Sequence, residues 1–255
     1  MLALYLHCGL LILMYTSGWF IYSVIKKRND VADIAWGLGF IVICGYLFFS
    51  SNHTTLLATI VYCLVGIWGF RLSVHIYARN RNKPEDFRYR QMRNQWNSSE
   101  LLQTYCKVFL LQGLLMLIIA SPLLMVSLVT IEVWNPFAFF GIFIWLIGFI
   151  FQSVGDWQLQ KFCRSKKHGE IMQSGLWKYT RHPNYFGEIA MWWGIFFMVI
   201  SSLDSWYIII GPITITYLLV YVSGVPLMEK KYHGNPIYEF YKKRTPMLIP
   251  WFPKK

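Results

Sequence analysis

The 255-residue chain is short of charge, and of negative charge above all. Asp, Glu, Lys and Arg make up 14% of it, with 12 acidic residues against 24 basic ones. A soluble domain carries about 25% charged residues. With 56% hydrophobic residues, 18% aromatic and a net charge of +12, the composition does not suit a water-soluble globule. Disordered, collagen-like and disulfide-rich classes are excluded by the same figures. Nucleic acid is not an expected partner, because the cations sit in a chain too apolar for a basic domain surface. The five cysteines (Cys8, Cys44, Cys63, Cys106, Cys163) form no C-x-x-C pair and read as small core hydrophobes. The six histidines (His7, His53, His75, His168, His182, His233) show no H-x-x-x-H or H-E-x-x-H spacing, so no metal site is expected. A glycine-rich phosphate loop of either common type is lacking too.

What the chain has is apolar length. Seven stretches, near Leu2–Ile25, Val31–Phe49, Thr55–Ala78, Thr104–Ile131, Pro136–Gly155, Tyr185–Ser201 and Trp206–Leu227, approach the roughly 20 residues needed to cross a hydrocarbon core. The expected fold is all-α: a polytopic membrane helical bundle of about seven transmembrane helices, forming one domain. The first stretch lacks a basic leader and does not read as a signal peptide. Lys26–Arg28 follow the first span, Arg79–Lys107 surround the third loop, Lys161–Arg181 fill the fifth, and Lys230–Lys255 close the chain. Loops Ser50–Thr54, Glu132–Asn135 and Ser202–Ser205 hold no cation. The positive-inside rule then places the N-terminus outside and the C-terminus in the cytoplasm.

Ionisable groups inside spans are costly and mark functional positions. Arg71, His75 and Arg79 recur at i, i+4 and i+8 and share one face of the third span. Snorkelling to the interface explains Arg79 better than Arg71. Asp33 lies one turn into the second span, as a partner for a cation such as Arg71. Gln152, Asp156 and Gln160 line one face at the end of the fifth span, beside loop cations such as Arg164. In GLWKYTRHPNYFGEIAMWWG (Gly175–Gly194), Pro183 suits a first helical turn, and Asn184 and Glu188 fall on one face. Arg181 and His182 beside a helix N-terminus suit an anion. The plainer alternative makes them ordinary interfacial cations and the tryptophans an aromatic belt.

The segment GLWKYT followed by RHPNYFGE resembles the signature of the steroid 5-alpha-reductase C-terminal domain family, and more closely its bacterial, multi-pass membrane branch. DIAWGLGF (Asp33–Phe40), IWGFRLSVHIYARN (Ile67–Asn80), PEDFRYRQMR (Pro84–Arg93), GDWQLQKF (Gly155–Phe162) and the tail from Ile237 carry the likeness, which runs from about Val31 to the end. It implies an integral, multi-pass protein of a bacterial inner membrane, and NADPH-dependent reduction of a carbon–carbon double bond conjugated to a carbonyl. The acceptor would be a lipid or steroid-like molecule. By motif, Asn184 and Glu188 would hold the nicotinamide end, and Gln152 and Asp156 would contact the cofactor. Arg71, Arg79, Arg164, Arg181, His182 and Tyr185 would complete its surroundings, with Tyr238 and Arg244 in a covering tail. Trp68 stands where the steroid enzymes carry a catalytic tyrosine, which leaves Asp33, His75 and Tyr77 as candidate proton donors.

Two rivals remain at this point. Isoprenylcysteine methyltransferases share a similar RHPNY motif, so an S-adenosylmethionine-dependent lipid methyltransferase is one alternative. Their paired Glu-Glu is here Glu229–Lys230. A non-catalytic lipid-binding membrane protein is the other. Its basic faces would meet anionic headgroups at about 1 kcal/mol per cation.

Overall fold

The computed structural model describes residues 2–51, 54–96, 99–129, 134–166, 169–200 and 203–254. His53, Lys167, His168 and Lys255 lie outside these, as do the ends of the expected Thr104–Ile131 and Tyr185–Ser201 stretches. The structure is 79% helix, with no strand among the described residues. Among the described residues six helices are long and apolar enough to cross a membrane, which makes this an integral, multi-pass membrane protein.

The helices are α1 (Leu2–Lys26), α2 (Val31–Ser50), α3 (Leu56–Asn80), α4 (Phe87–Gln95), α5 (Glu100–Thr104), α6 (Leu111–Ile119), α7 (Ser121–Val126), α8 (Pro136–Ser165), α9 (Pro183–Val199), α10 (Ile210–Tyr217), α11 (Val225–Lys231) and α12 (Pro236–Arg244). π-helical turns at Tyr105–Leu110 and Leu218–Val222 join α5 to α6 and extend α10. Side-chain caps set several starts. Thr55, Asp86, Asn135 and Asn235 each accept from a backbone N–H one turn in or less, supplying a partner that the first turn lacks. Pro136, Pro183 and Pro236 occupy first-turn positions, where a missing N–H costs nothing.

Three boundaries differ from the sequence expectation. The fifth span does not stop at Gly155 but runs to Ser165, so Lys161 and Arg164 ride the last turns of a helix rather than a loop. The fourth breaks at Ala120, where α7 restarts with Pro122 in its first turn; proline cannot donate the hydrogen bond that would continue α6. The sixth stretch forms α9 of 17 residues, about 25 Å long at 1.5 Å per residue, and it is not among the six long helices.

By contacts the chain divides into two compact units, Met1–Val133 and Trp134–Lys255. In the first, α2 lies along α3. The Ser73 hydroxyl donates to the Ile34 carbonyl at 2.9 Å, and Phe40 meets Trp68 edge-on at 5.5 Å. In the second, α8 and α9 form the most extensive helix pair. Their contact is a ladder of glycines seven residues apart: Gly141, Gly148 and Gly155 on α8, Gly187 and Gly194 on α9. A methyl group at Gly148 would stand 2.5 Å from the Gly187 carbonyl oxygen, and one at Gly187 2.4 Å from that of Gly148. Small residues at such crossings let membrane helices touch backbone to backbone. That closeness brings short polar side chains of the two helices within reach of each other.

Candidate functional site

The glycine ladder leads directly to the polar site of the second unit. One turn beyond Gly148, the Gln152 amide nitrogen donates to Glu188 Oε2 at 3.0 Å, with both side chains buried. One turn further, Asn184 Nδ2 donates to Asp156 Oδ1 at 3.2 Å. Gly155 faces Pro183 and the Asn184 backbone, so the start of α9 is pressed against α8 at this level. Gln152, Asp156, Asn184 and Glu188 are therefore brought together as two amide–carboxylate pairs on facing helices. Gln152 Oε1 is buried with no hydrogen-bond partner among the described residues. A buried amide oxygen left so costs about 1–3 kcal/mol. It is an acceptor suited to a ligand N–H.

Beneath the pairs, the chain before α9 is tied to its surroundings. The Trp177 indole donates to the Gly155 carbonyl at 3.1 Å, and Leu176 N–H donates to Gln158 Oε1 at 3.0 Å. The C-terminal tail closes over this segment: Thr180 Oγ donates to the Leu248 carbonyl at 2.7 Å, Arg181 N–H to Pro246 at 2.9 Å, and Trp251 N–H to Tyr179 at 2.9 Å. The Tyr241 hydroxyl donates to the Trp177 carbonyl.

Arg181 and His182 are buried, at 6% and 4% exposure, so they are not ordinary interfacial cations. The Arg181 guanidinium meets Glu229 Oε1 at 2.7 Å and donates to the Lys242 carbonyl at 3.0 Å. His182 Nε2 lies 3.5 Å from the same Glu229 oxygen, and Lys242 Nζ 3.2 Å from the other. Burial pushes the His182 pKa below its ordinary value of 6.5, against the pull of Glu229 and with the help of Arg181. Its ring stacks on Tyr185 at 5.3 Å. Tyr238 is buried and stacks on Tyr232 at 5.1 Å; burial raises its pKa. Arg164 and Arg244 are exposed, with Arg244 donating to the Lys254 carbonyl at 3.2 Å. Glu229 and Lys242 were not among the sequence candidates.

In the first unit Asp33 accepts from Arg88 at 2.7 Å and from the Tyr89 hydroxyl at 2.5 Å. Its cation is thus Arg88 rather than the expected Arg71, because the connection from α3 to α4 folds back over the start of α2. The PEDFRYRQMR segment supplies much of its own neutralisation: Arg88 also meets Asp86 at 3.0 Å, and Arg93 meets Glu85 at 2.7 Å. Burial lowers the Arg88 pKa, but the charges of Asp33 and Asp86 outweigh it and the net shift is upward. Arg71 and His75 are partly buried on α3, while Arg79 is exposed and bonds Asn80 Oδ1 at 3.0 Å. His75 and Tyr77 are two positions apart and so lie on nearly opposite sides of the helix; Tyr77 is 54% exposed. The three candidate proton donors do not gather on one helix face. Among the described residues, no three His, Cys, Asp or Glu side chains are grouped to hold a metal.

Two curated proteins are similar to parts of the chain. A methanethiol S-methyltransferase from Crocosphaera subtropica is 34% identical over 83 residues, 31% of this chain and 29% of its own length. A 3-oxo-5-alpha-steroid 4-dehydrogenase 1 from Rattus norvegicus is 27% identical over 122 residues, 47% of this chain and 43% of its own. The chain thus spans less than half the length of either relative. No solved structure matches it. The family described as "Protein of unknown function (DUF1295)" matches residues 19–245, and it includes steroid 5-alpha-reductase-like proteins. The chain belongs to this DUF1295 family.

Proposed function

We propose that the chain is a membrane-embedded, NADPH-dependent reductase that adds hydride to a carbon–carbon double bond conjugated to a carbonyl in a lipid or steroid-like substrate. The observation that carries this reading is the pair of amide–carboxylate contacts at the α8–α9 crossing, with Gln152 Oε1 buried and lacking a partner. A nicotinamide carboxamide both donates and accepts. Gln152 Oε1 fits its N–H, the Asn184 amide fits its oxygen, and Asp156 and Glu188 orient the two amides. Bound there, NADPH would supply hydride, so the residues have to bind, orient and exclude water rather than perform the difficult chemistry. Gln152, Asp156 and Glu188 are buried within the protein, and contacts made in a site shielded from water are stronger than in solution.

Exposed Arg164 and Arg244 are available to phosphates, which guanidinium groups bind in bidentate fashion. The tail that carries Tyr238 and Arg244 would cover the cofactor from the cytoplasm. Partial identity to a 3-oxo-5-alpha-steroid 4-dehydrogenase supports the reading.

A second reading is S-adenosylmethionine-dependent methyl transfer. One observation favours it: Arg181 and His182, the cations of the RHPNY motif, are turned to Glu229 instead of an open anion site. Partial identity to a methanethiol S-methyltransferase points the same way. Purified protein in lipid, given NADPH and an enone-bearing lipid, tests the first reading by NADPH oxidation. The same preparation given S-adenosylmethionine labelled at its methyl group tests the second. Oxidation that depends on the enone, without methyl transfer, is expected; methyl transfer alone would overturn the proposal.

A further inference from the structure

The first unit contains a cavity of about 240 Å³ where α1 ends, far from the polar pairs of α8 and α9 in sequence. Its polar wall is Ser23, Lys27, Asn29, Arg93, Glu100 and Thr104. Ser23, Asn29 and Thr104 are at least 95% buried, so this wall is built into the fold. The Asn29 backbone N–H donates to Glu85 Oε1 at 2.6 Å, and the same oxygen accepts from Arg93 at 2.7 Å. Arg93 Nε meets Glu100 at 3.1 Å. The remaining wall is Val24 and Leu101, apolar and exposed at 42% and 61%. They continue outward exposure on α1 and α5 that includes Ile21, Ile25 and Leu102.

The cavity lies where the apolar run of α1 gives way to Lys26, Lys27 and Arg28, the level of a bilayer's headgroups. Its charges are mixed: Lys27 and Arg93 are cationic, and Glu100 is anionic and about half exposed. A dianion would meet Glu100 unfavourably, and a simple cation would meet Lys27 and Arg93. A zwitterion whose phosphate and ammonium are separated by a short linker suits both signs. The exposed Val24 and Leu101 edge lets hydrocarbon chains leave sideways into the membrane. We propose that this cavity binds the headgroup of a zwitterionic phospholipid of the phosphoethanolamine type, phosphate toward Lys27 and Arg93 and ammonium toward Glu100.

The test uses the full chain, delipidated in detergent. Phosphatidylethanolamine, phosphatidylglycerol or soluble phosphoethanolamine is added, and bound lipid is read by native mass spectrometry together with thermal stability. Retention of phosphatidylethanolamine over phosphatidylglycerol is expected. Glu100→Gln should erase that preference, and Lys27→Gln should weaken both lipids about two- to fivefold, the range for one partly exposed charge contact. Lys27 is exposed, and its left-handed backbone (φ 54°) asks the same of glutamine as of lysine. Lys161→Gln, on α8, should change nothing. Equal retention of both lipids by the unaltered protein would overturn the proposal. So would lipid binding unchanged in both cavity variants. Stabilisation by soluble phosphoethanolamine as large as by the lipid would assign the cavity to a free metabolite and overturn the lipid.

Discussion

Gln152 donates its amide to Glu188 across the α8–α9 crossing at 3.0 Å, and its own amide oxygen faces no protein donor among the described residues. The bond therefore does two things: it gives a buried carboxylate a donor, and it aims an acceptor away from that carboxylate. Gln152→Leu removes both. It should destabilise the protein by about 1–3 kcal/mol, the cost of leaving a buried polar group with fewer partners. Glu188→Gln should cost less, yet weaken nicotinamide binding. Thermal unfolding with and without NADPH separates the two effects; equal stability of Gln152→Leu and the unaltered protein would remove the pair from the account.

The glycine ladder makes a contrast testable within one protein. Gly187→Ala places a methyl group 2.4 Å from the Gly148 carbonyl oxygen, so the helices must move apart. Overpacking of this kind costs about 1–3 kcal/mol, and the polar pairs beyond it should lose reach. Gly45→Ala on α2 meets nothing within 4 Å. It should be neutral or stabilising, by up to about 1 kcal/mol from reduced chain entropy and better helix propensity. Gly187→Ala should unfold earlier than the unaltered protein, whereas Gly45→Ala should unfold no earlier.

Glu229 gathers Arg181, His182 and Lys242. Removing one partner of a buried pair strands the other, typically at about 3–5 kcal/mol. Glu229→Ala should therefore destabilise strongly, whereas Arg181→Met with Glu229→Leu should recover part of the loss. The tail should also become sensitive to proteolysis after Lys242 or Lys243 in Glu229→Ala. A variant with an intact tail and normal stability would show that the contact is incidental.

His182 supplies a pH dependence with a definite sign. Its folded-state pKa lies below the ordinary 6.5 because burial disfavours the imidazolium. The unfolded chain therefore binds the proton more readily. The stabilisation from a neutral His182 is fully present above pH 6.5 and is lost as pH falls toward the folded-state pKa. The slope is at most about 1.4 kcal/mol per pH unit for one proton. His182→Gln should flatten that part of the profile. A profile unchanged by the substitution would contradict the assignment.

Local pattern made much of this molecule legible. Apolar runs marked most of the spans, Pro183 marked a helix start, and spacing placed Gln152 with Asp156 and Asn184 with Glu188 on single faces. Facing of those two faces was foreshadowed by glycines seven apart, a signal that could have been read. The partner of Asp33 was not legible, since choosing Arg88 over Arg71 depends on how a connection folds back rather than on any period. Glu229 escaped for the same reason: its meaning comes from Arg181 and Lys242, distant in sequence. The shared face of Gln152, Asp156 and Gln160 carried α8 past its apolar run, but its last turn to Ser165 was hidden because it is polar, and hydropathy reports the membrane rather than the helix.

The central claim is that the α8–α9 site receives a nicotinamide cofactor. Its most direct test is thermal stability of the purified protein with NADPH, NADH and S-adenosylmethionine in parallel. A ligand at 100 times its Kd that binds only the folded state adds about 2.7 kcal/mol. The account predicts such a shift with NADPH, lost in Asn184→Ala and Glu188→Ala while both variants remain folded. A shift with S-adenosylmethionine and none with NADPH would contradict it.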